Sequence, residues 1–548
     1  MRNFDRYKGS EQVKRFIALI MVLLLLLCGC RETETKQSAV ETGGAPSNAV
    51  YNPERKNELS IYAIRPDTLN PLTTAYAANR DMLAFVFEPL VSCDSSYNLK
   101  MNLADGFRIT EGGKKLTITL KNGITWHDGS AFTASDVKYT VDYILQSAEK
   151  SCYFQNLSNV INHGSVGSYE YSFELNAPDA GFVYLLDFPI IKNGSVKVKP
   201  EPEDGEKKKN MLESDFDPIG TGMYVLQQTD MSSDFTLVSN NAWHGGVATI
   251  PTVSVTLMPD YESFYNGFKM DSIDVAMANY EESGKFRLSP AIKQSYYTTG
   301  RYVYLAVNHG DKLLSDKKIR QILNSVISVT NIQGEVIPGY SQRCLSPLEY
   351  ETEENRITVT PDEIKEELEK YGCIPQKGSR AKNINGVSYP FVFSMLVNSD
   401  DPVKKMVAEY IEDALVEYGI MINISYASNS NFIEQAKSKR YDFVLCETEI
   451  SKNRNMSHML HSEGSLNIGG YANSKTDELV WLANTSEDIE TRNRLMSEVN
   501  SIFKEDIPHI PLFFYNDAVL YDETHIETVF PGAMGREYDG VYMWQMKQ

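Results

Sequence analysis

Between residues 302 and 446, short apolar runs alternate with amphipathic stretches, and this alternation most constrains what the chain can fold into. Residues 302–307 are apolar and β-rich and stop at Asn308-His309-Gly310. Ser315 and Asp316 then open a helix whose Ile319, Ile322, Leu323, Val326 and Ile327 share one face. Thr360-Pro361-Asp362-Glu363 is a capping box with proline at the first helical position, and Gly372 is placed to stop that helix. Residues 391–397 read as a strand. Asp401-Pro402 opens a helix with Met406, Tyr410, Leu415 and Tyr418 on one face, ending at Gly419. Residues 420–424 read as a strand, 432–439 as a helix and 441–446 as a strand. The repetition predicts an α/β fold with right-handed crossovers and a mostly parallel sheet. Ligands in such sheets bind beyond the carboxyl ends of the strands. That rule makes Asn308, Asn398, Glu447, Thr448 and Glu449 candidate site residues.

The first half carries more β structure. Residues 115–120 alternate, Gly123 ends the run, Asp128-Gly129 makes a turn, and Thr133 caps a helix through Val137 and Val141. Residues 190–217, with Lys207-Lys208-Lys209 among prolines and acids, read as an exposed loop. A length of 548 residues allows three or four domains or lobes. A formal net charge of -20 argues against nucleic-acid binding, which needs a basic surface.

The N-terminus reads as an export signal. Arg2, Arg6, Lys8, Lys14 and Arg15 outweigh Asp5 and Glu11, and an apolar stretch at 16–27 leads into Cys28-Gly29-Cys30. Gly29-Cys30 is similar to the lipobox of bacterial lipoproteins, which implies a signal peptide over 1–29 and an acyl-bearing (palmitate-type) Cys30. Lipid would hold the chain on the outer face of the cell membrane. Residues 30–56 are polar and read as a flexible tether.

The other cysteines, Cys93, Cys152, Cys344, Cys373 and Cys446, are scattered and odd in number. That pattern argues against a disulfide framework or a zinc site and for buried small hydrophobes. No H-E-x-x-H, G-x-S-x-G or G-x-x-x-x-G-K-[ST] occurs. Gly220-Thr221-Gly222 lacks the third glycine of a dinucleotide fingerprint and precedes a strand-like Tyr224-Val225-Leu226, so these read as turn glycines. His458 and His461 form an H-x-x-H without a third ligand, so a metal site there stays open. No catalytic residue, metal or cofactor is expected.

A series of ordered segments resembles the family 5 extracellular solute-binding proteins of ABC transporters. The segments are Asp67-Thr68-Leu69-Asn70-Pro71, Phe87-Glu88-Pro89-Leu90-Val91, Leu120-Lys121-Asn122-Gly123, Trp126-His127-Asp128-Gly129-Ser130 and Phe132-Thr133-Ala134-Ser135-Asp136-Val137. Further along come Ile219-Gly220-Thr221-Gly222-Met223-Tyr224, Arg320-Gln321-Ile322-Leu323, residues 334–339, Tyr441-Asp442 and Ile507-Pro508-His509-Ile510-Pro511-Leu512. The family includes oligopeptide-, dipeptide-, nickel- and oligosaccharide-binding lipoproteins. The resemblance implies a two-lobed α/β fold of the periplasmic-binding-protein type, with an extra subdomain and a ligand cleft between lobes. Lobe I would comprise 57–92, 216–300 and 513–548, subdomain II 93–215 and lobe III 301–512. His127 then reads as a structural histidine.

Peptide-binding members place a Trp and an Asp after the Tyr-Asp strand. Here the segment is Glu447-Thr448-Glu449-Ile450-Ser451, without the Trp and with Ser451 near the Asp position. Glu447 or Glu449 could pair with a ligand ammonium group, or both could be solvated charges. The first-lobe ligand strip falls at Ala75, Tyr76 and Ala77, where Tyr76 could contact ligand or sit in the core. The expected function is a monomeric lipid-anchored receptor that hands a short peptide to an ABC permease and ATPase complex. Alternatives are a metal chelate or oligosaccharide as ligand, or a sensory lipoprotein without import.

Overall fold

The computed structural model describes residues 57–547, apart from 95, 197–215, 228–231, 270–272, 287–289, 357 and 531–534. The expected signal peptide, Cys30, tether and Lys207-Lys208-Lys209 lie outside the described residues.

The chain enters through β1, Glu58–Ile64, and a short helix, α1, Ala77–Leu83. Four strands follow: β2 (Ala104–Thr110), β3 (Lys115–Leu120), β4 (Val160–Gly167) and β5 (Glu170–Leu175). They form an antiparallel sheet in the order β2-β3-β5-β4. Helix α2, Ala134–Ser147, starts at Thr133 with a complete capping box closed by Asp136. Strands β6 (Tyr224–Leu226), β7 (Phe235–Ser239) and β8 (Thr252–Met258) then return to β1, with β8 parallel to it. Gly220 and Gly222 are turn glycines: a Cβ at either would overlap backbone oxygens of Phe85 or Val86. His127 is structural. Its Nε2 donates to the Gly222 carbonyl at 3.0 Å, and its Nδ1 accepts from the Gly220 amide at 3.3 Å.

The second half is built on an eight-stranded sheet among the described residues. Its strands are β9 (Val275–Ala278), β10 (Ile292–Val307), β11 (Ser341–Ser346), β12 (Glu349–Tyr350), β13 (Val392–Asn398), β14 (Met421–Ala427), β15 (Phe443–Glu449) and β16 (His509–Asp522). The order is β12-β11-β16-β10-β15-β13-β14, with β9 on the far stretch of β16. The expected mostly parallel sheet is corrected here. β13 is parallel to β14 and β15, whereas β10 is antiparallel to both β15 and β16. Crossover helices enforce parallel pairing only where they connect neighbours, and no such helix joins β10 to its partners in space.

Side chains alternate between the two faces of this sheet. Val303, Leu305, Phe393, Met395, Val397, Phe443 and Leu445 enter one core. Over it lie α4 (Lys317–Ser328), α5 (Pro361–Lys370) and α6 (Pro402–Val416), numbered after α3, Tyr280–Ser283. Tyr302, Tyr304, Ala306, Leu396, Val444 and Cys446 enter the other, beneath α7 (Ser474–Asn484) and α8 (Ile489–Asp506). A separate core gathers residues of the N-terminal half from Leu59 to Val255. The face expected for α6 is shifted: Val403, Lys404, Val407, Ala408, Ile411 and Leu415 are buried, and Met406 is 41% exposed. Of the five described free cysteines, Cys93, Cys344, Cys373 and Cys446 are buried and Cys152 is exposed.

β10 and β16 run from the cores on the two faces of the large sheet to a further core, where Ala518 and Leu520 join Tyr62, Phe264 and Ala276. Residues 292–298 pair with 516–522 and residues 302–306 with 509–514. Between the stretches, Thr299, Gly300 and Arg301 oppose Tyr515 alone, a bulge that bends the ribbon. Thr299 Oγ1 ties it by donating to the Tyr515 carbonyl at 2.8 Å.

Burial holds four histidines below their usual pKa: His127, His163, His309 (about 4) and His509 (about 3). The unfolded chain then binds more protons than the folded one below about pH 6.5. Stability is therefore full above that pH and falls as pH drops toward the folded values. Urea unfolding between pH 6.5 and 5 should show this loss, at up to about 1.4 kcal/mol per pH unit per proton. His309→Gln should flatten the slope; an unchanged slope contradicts the assignment.

Candidate functional site

Two charged side chains emerge from the bulge and from the α6 terminus and meet one carboxylate. β15 runs through Glu449, so Glu447 and Glu449 share a face and Thr448 takes the opposite one. Glu447 lies on the α6 side. Its Oε1 accepts from Arg301 Nε at 3.0 Å, and its Oε2 accepts from Lys404 Nζ at 2.8 Å. Lys404 also reaches Asp401 Oδ2 at 2.5 Å, while Asp401 Oδ1 caps α6 through the Lys404 amide at 3.0 Å. The Arg301 guanidinium lies 4.2 Å from the Tyr515 ring centroid.

Burial opposes the charge on Arg301, and the ion pair with Glu447 outweighs it, so its pKa is raised. Burial likewise opposes the Lys404 charge, and the hydrogen bonds it donates to Asp401 and Glu447 outweigh that, so its pKa is raised.

This cluster forms one wall of an open cleft of about 830 Å³, within the usual range of about 300–1,000 Å³ for ligand sites. Arg301, Asn398, Lys404, Met406, Asn429 and Glu447 line it on the large-sheet side. Tyr280, Glu281, Ser283 and Gly284 line it from α3 on the other side. The lining holds four carboxylates, Glu281, Asp400, Asp401 and Glu447, against the cations Arg301 and Lys404. Asp400 is held by the Asn429 amide at 2.9 Å, and that bond lowers its pKa. Glu281 is exposed and has no hydrogen bond or ion pair among the described residues.

Asn398 and Glu447 therefore share the cleft. Asn398 Nδ2 donates to Asn429 Oδ1 at 2.5 Å. Asn308 is separated from them. β10 is antiparallel to β15, so the end of β10 pairs with Phe443 at the start of β15, opposite Glu449. Strand-end reasoning failed for Asn308 because it assumed one direction for all strands.

Glu449 pairs in register with Arg301, and its carboxylate lies against Gly300, where a Cβ would overlap Oε1. Desolvation raises its pKa, with Arg301 and Lys452 pulling the other way. Tyr76 is 37% exposed and occupies the N-cap position of α1 without a side-chain cap. Asp67 shapes that loop by accepting from Thr74 Oγ1 at 2.7 Å and from the Ala75 amide at 2.9 Å. Ala77 lines a second cavity, of about 310 Å³, with Tyr62, Arg80, Asp81, Tyr297 and Arg536. His458 and His461 each bond locally, to Ser465 Oγ and the Glu463 amide.

Arg301, Lys404 and Glu281 were missed in the sequence. Lys404 was recoverable from the Val403, Val407, Ile411, Leu415 stripe, which puts it on the flank of the buried face. Arg301 needed the bulge, which no local pattern announces.

An open cleft beside the bulge of two long β-strands, which run from the large-sheet cores to a further core, defines a binding protein of the two-lobed type. The chain belongs to the bacterial extracellular solute-binding proteins of family 5: the model for the middle region of that family matches residues 98–464. It is 23% identical over 542 residues to the oligopeptide-binding protein AppA of Bacillus subtilis, covering 94% of this chain and 96% of that one. The fold is shared with the nickel ABC transporter structure from Bacillus halodurans, at a TM-score of 0.69 and 17% identity, over 88% of this chain and 97% of that one. HbpA2 from Haemophilus parasuis aligns at a TM-score of 0.66 and 18% identity, over 90% and 99%.

Lys404→Met should leave Asp401 and Glu447 facing each other without their shared cation. At this intermediate burial the expected loss is about 1–3 kcal/mol. Urea unfolding at pH 7 reads it, and a change below about 0.5 kcal/mol contradicts the cluster's role.

Proposed function

We propose that this chain captures a short peptide outside the cell and delivers it to an ABC importer, held at the membrane by lipid on Cys30. The observation that carries the ligand reading is the excess of carboxylates over cations in the cleft lining. A free peptide amino terminus or a basic side chain supplies the missing positive charge. Glu447 is engaged by Arg301 and Lys404, so a ligand cation would share it, and Glu281 on the facing wall is the carboxylate with most capacity left. Glu449, beside Arg301, is the second acidic candidate. Asn398 offers amide recognition, and Ala75, Tyr76 and Ala77 would border the ligand from the first lobe. Thr448, on the other face of β15, has a supporting place. The named relative AppA, an oligopeptide-binding protein, favours the same ligand class.

Ligand retained through gentle purification should appear in native mass spectrometry as peptide masses. In calorimetry, peptides with a free amino terminus should bind at least tenfold tighter than their N-acetylated forms, and Glu281→Gln should reduce that preference. Equal binding of both forms, or a neutral sugar as retained ligand, contradicts the cation reading. Closure around the ligand requires tighter binding to the closed form. Small-angle scattering should show a smaller radius of gyration at saturation, and an unchanged radius contradicts the hinge. Cys30→Ala should release the protein from membranes, and unchanged detergent partitioning contradicts the anchor.

A further inference from the structure

Another polar cavity, of about 290 Å³, shares no lining residue with the ligand cleft. The small β-rich part contributes Tyr97, from the turn between Val91–Cys93 and Leu99–Met101, and Tyr184. The large-sheet part contributes Lys452, Arg454, Arg492 and Ser497.

Arg492 is 2% exposed, and its Nε has no hydrogen-bond partner among the described residues. Its Nη1 donates to Asn493 Oδ1 at 2.9 Å and its Nη2 to the Asn453 carbonyl. It sits in the first turn of α8, where the helix dipole disfavours a cation. Arg454 stacks over the Tyr97 ring at 4.3 Å, its Nη2 donates to the Leu348 carbonyl, and its Nε is also buried without a partner. Tyr97 and Arg454 both adopt left-handed backbone, with φ of 63° and 48°. Strain of this kind persists where the surroundings enforce it.

The counter-charges are few. Lys452 pairs with Asp187. Asp179 accepts from Asn453 Nδ2 at 2.7 Å and from the Gly181 amide at 3.0 Å, and burial raises its pKa. Glu349 is taken by Asn500 at 2.6 Å and Lys504 at 2.7 Å. Neither Arg454 nor Arg492 has a carboxylate within ion-pairing distance among the described residues, and burial lowers the pKa of both. Gly181 packs closely on Arg492, since a Cβ there would lie 2.7 Å from its Nη2 and 2.8 Å from the Asn453 carbonyl oxygen.

We propose that this cavity is a binding site for a small oxyanion, such as phosphate, sulfate or a carboxylate, held between Arg454 and Arg492. Lys452 and the Arg454 guanidinium supply charge-assisted donors at the cavity wall, and the buried Arg492 charge behind them adds to the positive field. The occupant bridges the small β-rich part and the large sheet, and so stabilises their contact independently of the transported solute.

Calorimetry on the full chain in a chloride-based buffer at fixed ionic strength tests this with sodium phosphate, sodium sulfate and sodium acetate as titrants. One-site, saturable binding of at least one of them is expected, with a matching rise in melting temperature. Phosphate or sulfate binding assigns an inorganic oxyanion, and binding of acetate alone assigns a carboxylate. Ser497→Glu places a carboxylate on the exposed rim and should weaken binding at least tenfold while keeping the fold. Arg454→Lys should weaken it less. Absence of saturable heat up to about 10 mM for all three, or unchanged binding in Ser497→Glu, overturns the proposal.

Discussion

The paired contacts of Glu447 with Arg301 and Lys404 are the interaction on which the cleft's architecture depends. Arg301 belongs to the bulge in β10, Lys404 to the first turn of α6, and Glu447 to the end of β15. One carboxylate therefore joins the long strand β10, the helix that flanks the cleft, and the end of the interior strand β15. All three side chains are partly desolvated, with exposures of 36%, 11% and 22% for Arg301, Lys404 and Glu447. Pairs at that depth lie between the weak surface bridge and the buried pair whose disruption costs about 3–5 kcal/mol. Removing Glu447 leaves Arg301 without its carboxylate where the chain bends, whereas Glu447 keeps one cation when either Arg301 or Lys404 is lost.

The same arrangement explains why the cleft remains acidic although two cations line it. Arg301 and Lys404 are committed to Glu447 and Asp401. Glu281, across the gap, is left to meet whatever enters. Under the proposed ligand reading, the wall nearest the bulge is preorganised and Glu281 carries the adaptable charge, an arrangement suited to discrimination on the ligand's charge.

Much of this was legible before the fold was known. The helix cap at Thr133, the capping box at Thr360, the proline-led helix after Asp401 and the apolar strand at residues 302–307 appear where spacing put them, and the strand expected at 441–446 runs over Phe443–Glu449. Local hydrogen bonding and side-chain period decide those features, and both are written in a few adjacent residues. Strand direction is not. Asn308 and Glu449 both follow apolar strands, yet antiparallel pairing sends them to opposite ends of the sheet. The α6 face was misread by counting from Met406 rather than Val403, which concealed Lys404. The bulge at Thr299, Gly300 and Arg301 depends on a partner strand more than two hundred residues away in sequence, with Tyr515 opposite it.

The account stands on the claim that Arg301 and Glu447 act as one unit across the bulge. A double-mutant cycle with Arg301→Gln, Glu447→Gln and the combined variant, read by urea unfolding at pH 7, measures that coupling directly. The predicted interaction energy is about 1 kcal/mol or more, since a partly buried charge pair exceeds the exposed range. Additivity within about 0.3 kcal/mol would show that the two side chains contribute independently and would contradict the account.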